Sequence, residues 1–504
     1  MSAEFLRKSG YLTGLQLAQK LVEFLISMVM ARLLTPADFG IVAAAGLFIQ
    51  LTQLLVEIGV GATIIQARQL SDRDINTAYL IVMSNGFVYF LLTQLCAPYV
   101  ADFMGAPEVE QVLRVLAITF IFQSFGIVPE SMLVRRFDAA RVALVTLTSK
   151  VVVTALIGIT LGLAGFGFWA LIVPTVIGSL VKSIFIYRAA GVPFRLNFSR
   201  KSAKRVARTG SGFSLSRIIN FAAIRGDNVF VARFFDSAAL GNYTRAYNLM
   251  DLPATLYGTF ADKMVFPLFA KHQADPDSLR EVFARGIFAT ALFGIPLSIV
   301  LFVLGQEWIV VIYGDQWTQA VAPFQALAIA TYFRLGMKVS GSLQRSKAAT
   351  RSMISTQAFY AATVVVGSLV SYRYGLVALS VAVSIGVILS YIVISASAVR
   401  LCGMGVVEFI KLHLAGLLIG AAILAVTWPL AGYLRDTGHS HFTVLAINGI
   451  ATVFVLVGLL FLLPAELLLR DRAMLLLAPR QWFFARTRTF VSRKRGATTG
   501  DVVP

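Results

Sequence analysis

The sequence predicts an all-α polytopic membrane protein with about fourteen transmembrane helices, arranged as two parallel six-helix lobes plus two C-terminal helices. Three observations support this fold class: an apolar composition, a series of long apolar stretches, and a short segment that occurs twice. Hydrophobic residues make up 58% of the 504 residues, charged residues make up only 14%, and the mean hydropathy is +0.78. A soluble protein could not cover so many apolar side chains with polar surface. The chain is therefore expected to reside in a lipid bilayer.

Fourteen stretches meet the requirement of about 20 mostly apolar residues for a membrane-spanning helix. They lie near 11–32, 41–66, 78–100, 112–133, 142–163, 167–188, 211–234, 244–268, 284–304, 318–342, 352–371, 376–399, 411–433 and 443–466. The first, seventh and tenth are the most polar, so hydropathy alone ranks them lowest.

The distribution of Lys and Arg between the connections predicts the orientation. Alternate connections carry RRFDAAR (135–141), RLNFSRKSAKR (195–205) and QRSKAATR (344–351), whereas 97–111 and 305–317 contain no Lys or Arg. We call these two sides of the bundle the basic side and the charge-poor side. Because basic loops remain in the cytoplasm, both termini are predicted to be cytoplasmic. The net charge of +19 reflects this orientation, and no nucleic-acid partner is predicted.

The chain ends in a basic tail, 467–504, in which leucines, Trp482 and Phe483 alternate with arginines. Two interpretations remain open. The tail is either an interfacial helix that binds anionic lipid or an anchor that sets the orientation.

An internal repeat organises the chain. MARLLTPADFG (30–40) and VARFFDSAALG (231–241) align at an offset of 201 residues, and each follows the first helix of a six-helix block. The identical pairs are Ala31/Ala232, Arg32/Arg233, Ala37/Ala238 and Gly40/Gly241. Because six is an even number, the second block enters the membrane in the same direction as the first, as in parallel-repeat transporters. The predicted units are an N-terminal lobe (1–190), a basic linker (191–209), a C-terminal lobe (210–400), two additional helices (401–466) and the tail (467–504).

No catalytic or metal site is predicted. LSDRD (70–74) and QADPD (273–277) both contain the D-x-D pattern of metal-dependent sugar-nucleotide transferases. Two repeat-related short loops are a poor place for one active site, and helix N-capping explains these aspartates. The four histidines show no metal-ligand pattern. Cys96 and Cys402 lie near opposite faces in the predicted topology, so no disulfide is expected.

Ionisable residues at membrane depth indicate a cationic cavity between the lobes. Such residues are costly in lipid and persist where they face a wet cavity or one another. The cations are Lys20, Arg217, Arg225, Arg245, Arg334 and Lys338, and the anions are Glu23, Asp227 and Asp251. Ion pairs such as Lys20 with Glu23 are the structural alternative, but they leave a surplus of cations. This surplus suits an anionic substrate, and Arg favours phosphate because its planar fork donates two hydrogen bonds.

Three segments resemble the polysaccharide transporter family, the Wzx-type lipid-linked oligosaccharide flippases of the multidrug/oligosaccharidyl-lipid/polysaccharide (MOP) superfamily. They are ARLLTPADFGIVAAAGLF (31–48), VEIGVGATIIQ (56–66) and the stretch 232–273, which includes G-x-Y-x-R-A-Y-N-L (241–249) and V-F-P-L-F-A-K (265–271). The resemblance implies a MATE-like fold of two six-helix lobes around a central cavity. It also implies translocation of undecaprenyl-diphosphate-linked oligosaccharide to the periplasmic leaflet of a bacterial inner membrane, without catalysis. A polysaccharide polymerase and a chain-length regulator are possible partners. No ATP-binding G-x-x-x-x-G-K-[ST] motif is present, and no cofactor is expected.

Given this resemblance, we assign the six intramembrane cations to the diphosphate or to acidic sugars. Glu23, Asp227 and Asp251 are assigned to ion coupling or gating. Arg32 and Arg233 are exit-side cations, either gating residues or structural anchors. A lipid II flippase and a MATE-like antiporter are the alternative functions. A membrane glycosyltransferase or polymerase is disfavoured because the longest outward connection is short.

Overall fold

The computed structural model describes residues 3–56, 60–67, 69–192 and 197–462, and all secondary structure in these ranges is helical. The predicted tail, 467–504, lies outside the described residues, as do parts of the predicted basic linker.

The N-terminal lobe contains six membrane segments. Its helices are α1 (Ala3–Leu33), α2 (Pro36–Val56), α3 (Val60–Gln66), α4 (Asp72–Met104), α5 (Glu108–Leu116), α6 (Ile118–Arg135), α7 (Ala139–Val153), α8 (Ile159–Leu163) and α9 (Trp169–Ala190). A π-helical turn, Thr154–Gly158, joins α7 to α8.

The C-terminal lobe repeats this order. Its helices are α10 (Arg200–Phe234), α11 (Ser237–Phe260), α12 (Phe266–His272), α13 (Pro276–Val303), α14 (Gly305–Tyr313), α15 (Val321–Ala328), α16 (Thr331–Ser346), α17 (Thr350–Ser371) and α18 (Leu376–Leu401). A π-helical turn (Ala261–Val265) precedes α12, and 3₁₀ turns (Asp315–Ala320 and Tyr372–Tyr374) precede α15 and α18. In both lobes a long third segment, α4 or α13, is followed by a nine-residue helix on the charge-poor side.

Two further segments follow the second lobe: α19 (Val406–Lys411) with α20 (Leu414–Asp436), and then α21 (His441–Leu462). The described helices thus form fourteen membrane segments, and within the described residues ten of them are long and apolar enough to cross a bilayer. Segments built on α1, α10, α11 and α16 are not among these ten, which agrees with the predicted polarity of the first, seventh and tenth. The predicted fold class is confirmed.

Equivalent polar residues begin the second helix of each lobe. Thr35 precedes α2, where its backbone N–H donates to Asp38 Oδ2 (2.9 Å) and its Oγ1 accepts from the Asp38 N–H (3.2 Å). Asp236 precedes α11 and its Oδ1 accepts from the Ala239 N–H (2.7 Å). Thr35 and Asp236 are 201 residues apart, so the repeated segment encodes the same helix start twice.

The two D-x-D segments also act at helix starts. Ser71 and Asp74 form a capping box at the beginning of α4. Asp275 caps α13, and the hydrogen bond from the Ser278 hydroxyl holds the pKa of the Asp275 carboxyl below its usual value. The interpretation of these segments as helix caps agrees with the structure.

The largest apolar core lies on the charge-poor side and contains residues of both lobes. It joins Met30 and Ala31 of α1 to Val231 of α10, Tyr243 of α11 and Trp317 of the second lobe. Smaller cores lie within the first lobe and between the second lobe and the additional helices. The two lobes are therefore packed together on the charge-poor side.

Candidate functional site

A contact between α2 and α11 closes the two lobes against each other on the charge-poor side. A Cβ placed on Gly40 would lie 1.6 Å from the Ser237 carbonyl oxygen, and one on Gly241 would lie 1.8 Å from the Pro36 carbonyl oxygen. Pro36 and Ser237 are 201 residues apart, as are Gly40 and Gly241, so the contact is reciprocal about the repeat axis. Only glycine permits this backbone approach. We call this contact the glycine seam.

Polar side chains extend the seam to the end of α1. Trp317 Nε1 donates to the Ala31 carbonyl oxygen (2.8 Å), and Gln316 Nε2 donates to the carbonyl oxygens of Ala31 (2.5 Å) and Leu34 (2.9 Å). The last carbonyl groups of a helix have no partner inside the helix. The second lobe therefore supplies the donors that the end of α1 lacks.

The two predicted exit-side cations reach across the seam in opposite directions. Arg32 of the first lobe donates to the Val311 carbonyl oxygen in α14 (2.5 Å). The guanidinium of Arg233, in the second lobe, lies 5.3 Å from the ring centre of Phe103 in α4. Both side chains are exposed on the charge-poor side. Both residues thus contact the opposite lobe, and their role as gating residues or as structural anchors stays a prediction.

Arg245 also bridges the lobes. Its Nη1 donates to Ser27 Oγ of α1 (2.5 Å), and its guanidinium lies 4.2 Å from the ring centre of Phe39 in α2. This predicted substrate-binding cation thus lies at the interface of the lobes, next to the glycine seam.

A cluster of charged and aromatic side chains lies inside the second lobe. Arg334 of α16 is buried, donates from Nη1 to the Tyr247 hydroxyl (3.0 Å) and lies 3.7 Å from Asp251 Oδ1. The Arg225 guanidinium lies 5.9 Å from the centre of the same tyrosine ring. Arg225, Arg334 and Asp251, which are far apart in sequence, are brought together around Tyr247.

A cavity of about 550 Å³, the C-lobe cavity, opens beside this cluster among α10, α11, α16 and α17. The charged residues that line it are Asp251, Arg334, Lys338 and Arg345. Arg345 in the last turn of α16 places the cavity toward the basic side, and its Nη2 pairs with Asp262 (2.5 Å). Among the described residues three cations and one carboxylate line the cavity, and a second carboxylate, Asp262, pairs with Arg345. The cavity is therefore cationic, but it lies inside the second lobe and not between the lobes, where the sequence predicts it.

The other predicted residues lie elsewhere. Glu23 accepts from Lys20 (3.2 Å) and from Lys150 (2.8 Å) in the first lobe, which is the ion-pair alternative for Lys20 and Glu23. Asp227 is buried and accepts from the Tyr243 hydroxyl (2.6 Å). The Arg217 side chain lies outside the described residues. The predicted charges therefore divide among the first lobe, the lobe interface and the second lobe.

An apolar groove of about 980 Å³ runs along the outside of the second lobe, between α13, α16 and α20. Apolar side chains such as Phe302, Leu417 and Trp428 line it. His413 also lines the groove. Its Nδ1–H donates to the Phe409 carbonyl oxygen (2.9 Å), and its Nε2 accepts a hydrogen bond from the Tyr391 hydroxyl (3.0 Å). The groove has the volume and the apolar lining to hold hydrocarbon.

More than half of the chain matches one protein family. A family described as "Polysaccharide biosynthesis protein" matches residues 29–322. The chain belongs to this family. The predicted family is confirmed, and the matched region includes the glycine seam, Tyr247 and the motif 241–249.

Three relatives of this chain are named for polysaccharide biosynthesis or transport. It is 24% identical to the lipopolysaccharide biosynthesis protein WzxC of Escherichia coli K12 over 64% of this chain and 65% of that protein. It is 25% identical to the teichuronic acid biosynthesis protein TuaB of Bacillus subtilis over 58% of this chain and 61% of that protein. It is 24% identical to the succinoglycan biosynthesis transport protein ExoT of Rhizobium meliloti over 61% of this chain and 62% of that protein. The chain thus matches less than two thirds of the length of each relative.

Solved structures share the fold. The lipid II flippase MurJ superposes with a TM-score of 0.73 at 14% identity, covering 89% of this chain and 97% of that chain. A multidrug resistance MATE family transporter of the MOP superfamily superposes with a TM-score of 0.58 at 16% identity, covering 76% and 94%. The predicted MATE-like fold is confirmed.

Several residues of these sites carry no signal of their role in the sequence. Tyr247 lies within the motif that carried the resemblance, but an aromatic residue gave no sign that two arginines meet at its ring. Arg345 is one of the basic residues of the connection 344–351 in the sequence, whereas the structure places it in the lining of the C-lobe cavity. Gln316 and Trp317 lie in a connection without Lys or Arg, where nothing marked them as lobe contacts.

Proposed function

We propose that the chain moves an undecaprenyl-diphosphate-linked oligosaccharide from the cytoplasmic to the periplasmic leaflet of a bacterial inner membrane. The cargo would serve a cell-surface polysaccharide, and the movement would involve no chemical conversion. The observation that carries this proposal is the C-lobe cavity, in which the three cations Arg334, Lys338 and Arg345 outnumber their carboxylate partners Asp251 and Asp262. The family and the named relatives support a role in polysaccharide biosynthesis and transport.

The cavity has the chemistry of a diphosphate site. Charge-assisted hydrogen bonds to phosphate oxygens are about twice as strong as neutral ones, and Arg can donate two at once. Arg334 is held rigidly by Tyr247 and Asp251, and its Nε has no hydrogen-bond partner among the described residues. Lys338 is exposed to the cavity and adds a positive charge. In this proposal Arg225, which shares the Tyr247 ring, supports the position of Arg334.

The apolar groove has the chemistry of a lipid-tail site. Burial of each CH₂ group stabilises a bound chain by about 0.8 kcal/mol, so a long polyprenyl chain gains many such increments along a groove of this size. The tail could remain in the groove, at the lipid boundary, while the polar head enters the lobes.

Alternating access supplies the mechanism in this proposal. The glycine seam, Arg32, Arg233 and Arg245 hold the lobes together on the charge-poor side, which is the predicted periplasmic side. Release of cargo to the periplasm requires that this seam opens. Glu23, Asp227 and Asp251 remain candidates for ion coupling, and a polymerase and a chain-length regulator remain candidate partners.

Charge removal in the C-lobe cavity tests the proposal. We expect Lys338→Gln, and separately Arg334→Gln, to lower polymer export about tenfold or more in a deletion strain, because each removes a charged hydrogen bond worth about 1.5–3 kcal/mol. Lipid extracts of these strains should contain accumulated lipid-linked repeat units. Arg400→Ala, an exposed cation in the last turn of α18, is the matched control. Normal export by the Lys338 and Arg334 variants at equal membrane levels would refute the assignment.

A lipid II flippase is the second candidate, because the fold is that of the lipid II flippase MurJ. Complementation separates the two functions. Rescue of a polysaccharide export defect without rescue of MurJ depletion supports the first proposal, and the reverse result supports the second. A MATE-like antiporter is less well supported, because the C-lobe cavity is cationic.

A further inference from the structure

The first lobe contains a cavity that is the repeat counterpart of the C-lobe cavity. This N-lobe cavity has a volume of about 560 Å³ and lies among α2, α6, α7 and α9. Gln53 of α2 lines it, and Ala254 of α11, 201 residues later, lines the C-lobe cavity. The second, fourth and fifth segments of each lobe line both cavities, so the places of the two cavities overlap. The C-lobe cavity also contacts the first segment of its lobe, α10, and the N-lobe cavity contacts the sixth, α9.

The two cavities differ in charge. In the N-lobe cavity Glu130 pairs with Lys182 (3.0 Å), and Lys150 pairs with Glu23 of α1 (2.8 Å). Every charged side chain that lines this cavity thus has a partner of opposite sign. In the C-lobe cavity, counted in the same way among the described residues, Arg334 pairs with Asp251 and Arg345 pairs with Asp262, which leaves Lys338 as a surplus cation. The N-lobe cavity is poorly suited to a diphosphate.

Nine side chains with a hydroxyl or amide group are among the residues that line the N-lobe cavity. They belong to Gln53, Gln123, Ser131, Thr146, Ser149, Thr154, Thr175, Ser179 and Ser183. Ser131 and Thr175 donate to carbonyl oxygens of their own helices, both at 2.7 Å, which leaves their lone pairs as acceptors. The Gln53 amide donates to Gln123 Oε1 (3.2 Å), so the Gln123 amide N–H groups remain as donors.

One buried hydroxyl in the lining has no partner. Ser149 is only 3% exposed, and its Oγ has no hydrogen-bond partner among the described residues. A buried hydroxyl without a partner costs free energy, so a ligand that supplies the missing hydrogen bond would be favoured. Sugars carry many hydroxyl groups, each of which both donates and accepts.

We propose that the N-lobe cavity binds the uncharged sugar residues of the cargo while the C-lobe cavity binds its diphosphate. This inference rests on the proposed function, because it divides one cargo between two repeat-related sites. Mixed donors and acceptors without net charge match a saccharide, and surplus cations match a diphosphate. The cavities of the two lobes thus differ in the charge of the side chains that line them.

Two glycine positions provide a matched pair of tests. A Cβ on Gly178, which lines the N-lobe cavity, would meet only Val153, at 3.9 Å. A Cβ on Gly341, which lines the C-lobe cavity, would meet nothing within 4 Å. Leucine at either position should therefore fill its cavity without disturbing the helices.

The experiment measures binding of two lipids to the purified full-length protein in detergent. The lipids are undecaprenyl diphosphate and undecaprenyl diphosphate carrying N-acetylglucosamine. We expect Gly178→Leu to weaken binding of the sugar-bearing lipid about tenfold and to leave binding of the sugar-free lipid unchanged. Gly341→Leu should weaken binding of both lipids. Gln53→Ala/Gln123→Ala should reproduce the Gly178→Leu pattern by loss of hydrogen bonds rather than by volume, and wild-type thermal stability of each variant shows that it is folded.

Equal effects of Gly178→Leu on both lipids, or no effect on either, would overturn the division of the cargo. Failure of the wild-type protein to bind either lipid would instead contradict the proposed function itself. The two failures are therefore distinguishable.

Discussion

At the scale of single residues, two glycines determine how closely the lobes approach. Gly40 and Gly241 each place bare backbone against a carbonyl oxygen of the opposite helix. Their identity is visible in the sequence as part of a repeat. The structure gives the reason, since each glycine lies inside a helix and contacts the backbone of the other copy of the repeated segment.

We expect Gly40→Ala and Gly241→Ala to weaken the glycine seam, because the new methyl groups would overlap backbone oxygen atoms. Overpacking of this kind costs about 1–3 kcal/mol. Thermal unfolding in detergent should show a lower midpoint for both variants, and export should fall. Gly46→Ala, also in α2 but with a nearest neighbour at 3.7 Å, is the control. Wild-type stability and export in the seam variants would contradict the importance of the close approach.

At the scale of helices, two ion pairs fix the additional helices to the second lobe. Arg435 at the end of α20 makes two hydrogen bonds of 2.8 Å to Glu307 of α14, which is fully buried. At the other end of the bundle, Arg280 of α13 pairs with Glu408 of α19. The two residues of each pair are 128 residues apart in the sequence. Equal separations are expected because the segment α13–α14 and the segment α19–α20 run parallel. The apolar groove thus lies between helices that are fastened at both membrane faces.

Arg435→Ala should destabilise the protein by about 3 kcal/mol or more, because it leaves a buried carboxylate without its partner. Arg435→Ala/Glu307→Gln should recover part of this loss, since it removes the stranded charge as well. Arg114→Ala breaks an exposed pair with Glu110 and should cost under about 1 kcal/mol. The measurement is thermal or denaturant unfolding in detergent. No recovery in the double variant would argue against a role for the buried charge.

At the scale of the whole molecule, the lobes meet on the charge-poor side, and the C-lobe cavity lies toward the basic side. Trp317, Arg32 and Arg245 add lobe contacts around the glycine seam, and the largest apolar core surrounds it. Opening the charge-poor side therefore requires the loss of a continuous set of contacts, which suits a transition between two discrete states.

Cysteine labelling should detect these states. In a chain with Cys96 and Cys402 replaced by Ser, Thr255→Cys in the C-lobe cavity should react with a membrane-impermeant maleimide from the basic side. It should react slowly from the charge-poor side. Addition of Gly241→Ala should raise labelling from the charge-poor side, since it favours an open seam. Equal labelling from both sides before that substitution would contradict a closed seam.

The sequence by itself determined the number of membrane segments, the parallel repeat and the family. These properties depend on composition, on apolar length and on local motifs, which do not require knowledge of how helices rotate against their neighbours. It also indicated which residues carry intramembrane charge. The tertiary structure decided where those charges meet.

Helix rotation and long-range packing are the physical reasons for that difference. Glu23 takes Lys150 as a partner 127 residues away, and Arg334 donates to Tyr247 87 residues away. The sequence predicts one cavity, whereas the structure divides the charges among separate groups. A polar stripe identifies one face of a helix, but it does not identify the helix that packs against that face. The reciprocal contact of Gly40 and Gly241 likewise exists only once the two lobes are packed.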